Sequence, residues 1–141
     1  MRTARPTIDR RALGMIGEEA VCDYLTQHGY RIVCRNYHAK CGEIDIIAED
    51  SAVMAFVEVK TRPRGSLVSG FDAVGETKRR RIIRTAVDYL TKNGMTLQPR
   101  FDVVQVEVSP RRGPSVSLQP EITDLIYIEN AFDTSGMFVV L

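Results

Sequence analysis

Two short runs carry most of the chemistry in this chain: GEIDIIA at 42–48 and FVEVKTR at 56–62. Each reads as an apolar strand interrupted by charge, Asp45 in the first and Glu58 and Lys60 in the second. A tight turn through EDSA, centred between Ser51 and Ala52, sets Asp45 opposite Glu58 and Ile47 opposite Phe56. Opposed side chains on antiparallel strands have Cβ atoms about 5 Å apart. Two carboxylates so placed repel, and burying each unpaired costs roughly several kcal/mol. A hard divalent cation removes that cost by taking both as oxygen ligands. Lys60 shares their face about 6.6 Å further along the strand, within reach of a metal-bound water or a scissile phosphate. The competing reading is a solvated sheet face carrying a weak acid–lysine pair. Aliphatic residues on both sides of the polar set favour central strands, and with them a functional site.

Glu18 is the next acid. Val21 and Leu25 lie three and seven positions beyond it on a helical pattern, so Glu18 borders the apolar stripe and can lean over the sheet. Glu19 shares its side with Asp23 and faces water. Glu18 reads equally well as an ordinary helix former. Lys78, one turn before Ile82, can reach the same mouth or be one residue of a solvated basic run.

These residues need elements to hold them. A helix is expected over 11–28, with Leu13, Ile16, Ala20 and Tyr24 along its stripe and Gly29 as C-cap. A short strand follows at 30–34, then strands at 42–48 and 53–61. In the first of that pair, alternation places Ile44, Ile46 and Ala48 on one face, matched by Val57 and Val59. PRGSLVSG (63–70) reads as a mobile loop. A second helix spans 73–92 through Ile82, Ile83, Ala86, Val87 and Leu90. Strands at 100–108 and 122–128 flank a loop at 109–119. The order α-β-β-β-α-β-β implies an α/β fold, helices packed on a mixed sheet.

At 141 residues the chain suits one domain, preceded by a flexible segment at 1–10. The apolar runs are too short to cross a membrane, and the basic N-terminal stretch lacks the apolar segment of a signal peptide. Three cysteines without a CxxC pair suit a reducing cytoplasm. Cys34, His38 and Cys41 offer soft ligands but lack the spacing and the fourth ligand of a structural zinc site, so free thiols and a loop histidine are expected. A net charge of +1 provides no global attraction to a polyanion. The local distribution differs: Arg62, Arg64, Lys78, Arg79, Arg80, Arg81 and Arg84 follow an acidic hairpin holding Glu43, Asp45, Glu49, Asp50 and Glu58. That arrangement suits a metal beside a polyanion, although KRRR alone also suits a solvated helix face.

GEEA (17–20), Tyr24–Leu25, Arg35–Asn36, GEIDIIA, FVEVKTR, the Lys78 helix and RFDVV (100–104) occur in that order. In this the chain resembles the YraN-like family of predicted endonucleases. That family is similar to the restriction-endonuclease-like, or PD-(D/E)xK, superfamily, and in plan to archaeal Holliday-junction resolvases. The resemblance implies that Asp45 and Glu58 are metal-binding acids, Lys60 the motif lysine, Glu18 a helix glutamate that holds or orients the metal, and Lys78 a residue facing phosphate. Ile44 stands where the wider superfamily has proline before the acid, as is usual in this branch. The implied activity is hydrolysis of DNA phosphodiesters, in preference to RNA, with Mg²⁺ (or Mn²⁺) on Asp45, Glu58 and the Val59 carbonyl. Arg62, Arg64 and Arg79–Arg81 would grip backbone phosphates. The substrate (duplex, junction, flap or single strand) stays open. The alternative is a nucleic-acid-binding or partner-docking module that kept the fold. Facing carboxylates favour the enzyme, because a pure binder gains nothing from them near DNA. The apolar tail MFVVL suits either a two-fold homodimer, as in the junction-cutting enzymes, or packing on its own domain.

Overall fold

Asp50 sets the register on which the site depends. Its Oδ1 accepts the backbone N–H groups of Ala52 and Val53 at 2.8 and 2.7 Å, and its own N–H donates to the Val53 carbonyl at 3.0 Å. An Asx turn of this kind ties a tight hairpin without backbone strain, and the two N–H donors hold the Asp50 carboxyl below its usual range. The strands it joins pair Ile47 with Phe56 and Ala48 with Ala55, as the turn chemistry predicts.

The computed structural model describes residues 10–65, 74–109 and 121–134. The elements are α1 (Arg10–Gln27), β1 (Arg31–Ala39), β2 (Gly42–Glu49), β3 (Val53–Pro63), α2 (Glu76–Asn93), β4 (Gln98–Ser109) and β5 (Glu121–Phe132), in the expected order. They form one five-stranded sheet, β1-β2-β3-β4-β5. Only β3 and β4 run parallel, and α2 lies in the crossover that a parallel pair requires. The two helices cover opposite faces. α1 packs through Val21 and Leu25 against Ile46, Ala48, Val57 and Val104. α2 packs through Ile82, Ile83 and Tyr89 against Ile47, Phe56, Phe101 and Val103. Double coverage explains why β3 and β4 read as nearly continuous apolar runs. Among the described residues no helix is long and apolar enough to cross a membrane. The expected loops at 63–70 and 109–119, the N-terminal segment and the MFVVL tail fall largely or wholly outside the described residues, although Pro63 and Ser109 end β3 and β4.

Two expectations are corrected. The buried line of α1 is Leu13, Gly17, Val21, Cys22 and Leu25, whereas Ile16, Ala20 and Tyr24 flank it half-buried. Gly17 causes the difference, since a Cβ there would lie 1.8 Å from Thr61 Oγ1 on β3. The helix therefore approaches the sheet along a glycine that hydrophobicity does not mark. Tyr24 instead stacks on His28 and Tyr127, with ring centroids 3.9 and 5.2 Å away.

The second correction concerns β1, which runs five residues beyond the expected strand and pairs with β2 to its tip, Ala39 against Gly42. Ile46 and Ala48 share the α1 face, but Ile44 packs with Tyr37 in the α2 cluster. Between the pairs Arg35–Ile46 and Tyr37–Ile44 stands Asn36, with φ of 52°. One left-handed residue, a conformation asparagine tolerates better than most, reverses which face the hairpin tip presents.

On β4, in register with Val57, lies a buried ion pair that strand patterning does not reveal. Asp102 is 0 % exposed. It accepts Arg100 Nε at 2.9 Å, a second Arg100 nitrogen at 2.8 Å, the Tyr127 hydroxyl at 2.5 Å and the Asn130 N–H at 2.9 Å. Arg100 also donates to the Tyr30 hydroxyl at 2.8 Å. Removing one partner of a satisfied buried pair leaves the other uncompensated, so Asp102→Asn should destabilise the fold by about 3–5 kcal/mol in urea unfolding.

Candidate active site

The sheet splits where the charges sit. The β2–β3 ladder ends at Ile46–Val57. Beyond that point β3 stays on β4 as far as Pro63–Val108, and β2 stays on β1 as far as Gly42–Ala39. Asp45 and Glu58 are the first residues past the end of the ladder, still opposed, and the charge of Glu58 acts on Asp45. A side chain replaces the ladder here, with the Val59 N–H donating to Asp45 Oδ2 at 2.8 Å. Glu58 is 5 % exposed, and its Oε1 receives Lys78 Nζ at 2.5 Å and Lys60 Nζ at 3.3 Å. Thus Glu58 is compensated by two ammonium groups, while Asp45 has a backbone donor and a like-charged neighbour.

The electrostatics follow from this geometry. Burial, reinforced by the charge of Glu58 and opposed by the Val59 N–H, pushes Asp45 up to about 7. Lys60 is lowered, first by burial and then by the hydrogen bond and charge of Lys78. For Lys78 burial also opposes the charged form, but its hydrogen bonds to Glu58 and Lys60 outweigh that and raise it. Glu18 is raised, chiefly by burial and further by Glu43 and Glu58, against the lowering effects of Asn36 and Arg35. The Asn36 amide lies 3.4 Å from Glu18 Oε2. Neighbouring Glu19 is exposed and bound to Arg35 at 2.9 Å. The helix thus turns one glutamate towards Asp45 and Glu58 and the other to solvent.

Among the described residues no three His, Cys, Asp or Glu side chains stand close enough to form a metal-ligand group. The pair Asp45–Glu58 is nonetheless a fitting donor set for one class of ion. Mg²⁺ is commonly bound through one or two carboxylates with water in its other positions, and Mn²⁺ also prefers oxygen donors. Burial and the charge of Glu58 both disfavour the ionised form of Asp45, a cost that a cation between the two acids would relieve. Glu18 lies outside this pair but within electrostatic reach of it, and Val59, half-buried, follows Glu58 with its N–H on Asp45.

The basic residues separate. Arg62 and Arg64 are exposed at the end of β3. Arg79 donates to the Val74 carbonyl at 2.8 Å and lies over the Phe132 ring at 5.7 Å. Arg80 pairs with Glu76 at 2.8 Å. Arg81 is exposed and flanks a groove with Lys78. His38 contacts Glu43 at 3.2 Å and Cys41 lies 3.5 Å from Thr85 Oγ1. Sequence reasoning missed three contributors. Asn36 twists the hairpin and holds Glu18. Gly17 lets α1 close on β3. Gln105, 4 % exposed, stands in register beside Lys60. A polar residue in the middle of DVVQVEV was the one available signal for Gln105.

Two outcomes test this geometry. Because folding raises Asp45 from 3.8 to about 7, its contribution to stability is complete below pH 3.8 and is lost as pH rises through 7. In chelator, wild type should therefore lose melting temperature relative to Asp45→Asn between pH 5 and pH 8, as followed by circular dichroism across that range; parallel curves would refute a buried, frustrated Asp45. The second outcome concerns the α1–β3 contact. Rotating the Thr61 hydroxyl away still leaves its Cβ at 3.0 Å and Cγ2 at 3.2 Å from a Cβ on Gly17. Gly17→Ala should thus cost about 1–3 kcal/mol by overpacking. Thr61 Oγ1 is buried with no hydrogen-bond partner among the described residues, so Thr61→Ala should cost little alone and relieve part of the Gly17→Ala loss in a double-mutant cycle.

A profile of the uncharacterised protein family UPF0102 matches residues 17–106, a span that includes every acid and lysine of the site. A UPF0102 protein of Symbiobacterium thermophilum is 46 % identical over 101 residues, covering 71 % of this chain and 86 % of the relative. Another, from Desulfosudis oleivorans, is 42 % identical over 127 residues, covering 89 % and 94 %. A third, from Nocardia farcinica, is 43 % identical over 109 residues, covering 77 % and 86 %. With most of both chains aligned at such identity, and a profile match over more than half its length, this chain belongs to the UPF0102, or YraN-like, family.

Proposed function

We propose that the chain is a metal-dependent nuclease that hydrolyses phosphodiester bonds of DNA in the cytoplasm, with Mg²⁺ or Mn²⁺ held by Asp45, Glu58 and the Val59 carbonyl and assisted by Glu18. One observation carries this reading: two opposed carboxylates stand at the mouth of a split sheet, with Lys60 and Lys78 on the same acid. When bound, a divalent cation lowers the pKa of water and neutralises the charge that develops on the phosphate.

The protein's own groups supply the rest. Lys60, whose charged form burial disfavours, is suited to take a proton from the attacking water at Nζ or to orient that water. Lys78, half-exposed at the mouth, is placed to meet a non-bridging phosphate oxygen. Arg62, Arg64 and Arg81 extend a cationic margin for backbone phosphates, contacts that position without reading sequence.

The second reading, a binding module that kept the fold, draws on the 2.5 Å Lys78–Glu58 contact, which compensates Glu58 without any ion. A single series separates the two. Branched and linear DNAs are incubated with wild type and Lys60→Ala, with Mg²⁺, with Mn²⁺ and with chelator. The nuclease reading expects cleavage by wild type only with metal, and a loss of about 10²–10⁴ in rate for Lys60→Ala. Both proteins should still gain melting temperature on adding Mg²⁺, because a ligand bound to the native state stabilises it. Absence of both cleavage and any metal-dependent shift would establish the binding module.

A further inference from the structure

Beside the site, the tip of the β1–β2 hairpin and the first turns of α2 enclose a groove of about 740 Å³. His38, Lys40 and Glu43 line it from the hairpin, and Lys78, Arg81 and Ile82 from the helix. Lys78 links it to the acids: its Nζ lies on Glu58 and its side chain lines the groove.

The groove is built into the fold. The left-handed Asn36 turns the hairpin tip towards α2, where three contacts fasten it. The Tyr37 hydroxyl donates to Asp88 at 2.5 Å, the Tyr37 ring meets Tyr89 edge-on at 5.3 Å, and Cys41 lies against Thr85 at 3.5 Å. Gly42, with φ of 153°, lets the tip pass Thr85 Oγ1, which a Cβ would approach to 3.2 Å. A wall held at three points is preorganised, so little ordering cost falls on binding.

Its chemistry is that of a phosphate backbone. Lys40, Lys78 and Arg81 face one carboxylate, Glu43, which His38 contacts at 3.2 Å. Among the described residues that line it there is no Phe, Tyr or Trp, and the cations among them suit backbone phosphates. Its volume lies in the range that encloses one drug-sized ligand, roughly 300–1,000 Å³. That admits a short piece of one strand, whereas a duplex has a major groove alone about 12 Å wide.

We propose that this groove holds the phosphodiester backbone of an unpaired DNA strand as it runs to the site, so that the substrate presents single-stranded DNA there, as a flap, a splayed arm or a free end. This rests on the nuclease reading above, and the test separates the two. Anisotropy of a fluorescein-labelled oligothymidylate and of a blunt hairpin duplex is measured against salt, in chelator and with Ca²⁺, for wild type and Lys40→Ala/Arg81→Ala. Losing two contacts should flatten the single-strand slope of log K on log salt by about 1.4. Cys41, at the groove, gives a second readout on unaltered protein: its alkylation, mapped by mass spectrometry with Cys34 as internal reference, should slow in proportion to the fraction bound to oligothymidylate, and not with duplex. An unchanged slope, or Cys41 still open with oligothymidylate saturating, overturns the groove and leaves the nuclease reading standing. Equal protection by the blunt duplex overturns the unpaired strand. Binding of neither DNA in either condition overturns both proposals.

Discussion

Burying a carboxylate on a central strand is the constraint from which the rest of this site follows. Glu58 sits at 5 % exposure on a strand that is paired with β4 and covered by α2, where an uncompensated charge would cost several kcal/mol. Two lysines meet it, one from its own strand and one from the first turn of α2. The Lys78 contact therefore pins the start of α2 over β3, and the position of that helix in turn decides where the groove wall stands. Lys78 acts on Asp45 only through its charge. The hydrogen bond that compensates Asp45 comes from the Val59 N–H. The β2–β3 ladder ends at this pair because backbone partners there have been exchanged for side-chain chemistry.

How much of this was legible depends on which residues had a period or a turn to announce them. The facing of Asp45 and Glu58 was readable because Asp50 fixes the turn and a strand repeats every two residues. The lean of Glu18 was readable from Val21 and Leu25. Gly17 was not, because its contribution is the absence of a side chain, and apolar patterning assigned the stripe to Ile16, Ala20 and Tyr24. The face of Ile44 was misread because a two-residue period assumes a regular hairpin, and the partner strand carries a left-handed Asn36 between the residues paired with Ile46 and Ile44. The unequal compensation of the two acids was also hidden: Lys78 comes from an element twenty residues further on, and only packing brings it to Glu58.

The basic run shows the same limit from the other side. Successive residues on a helix point about 100° apart, so Lys78, Arg79, Arg80 and Arg81 cannot act as one surface. Arg79 is spent on Val74 and Phe132, and Arg80 on Glu76. Lys78 and Arg81, three apart, share one side and meet Lys40 from the hairpin across the groove. With a net charge of +1, any pull on a polyanion has to be local, within the roughly 8 Å over which charge is felt at physiological salt. A groove that gathers three cations beside the acids meets that condition, whereas a run counted along the chain does not.

Proton, ammonium and divalent cation are three solutions to one electrostatic problem, and their competition gives the site an order of events under the proposed function. Burial favours the protonated form of Asp45, and Glu58 holds Lys78. Asp45 and Glu58 would hold a divalent cation between them, and the cation would supply the positive charge that the proton and the ammonium supply here. The two lysines then differ in freedom. Lys60, 19 % exposed and anchored on β3, must stay beside the acids, where burial keeps its ammonium weakly held. Lys78, 47 % exposed on a long flexible stem, can swing from Glu58 to a phosphate oxygen. Under the proposed function the residue that compensates Glu58 would be the one released to substrate, and a single ion pair would couple substrate grip to metal binding.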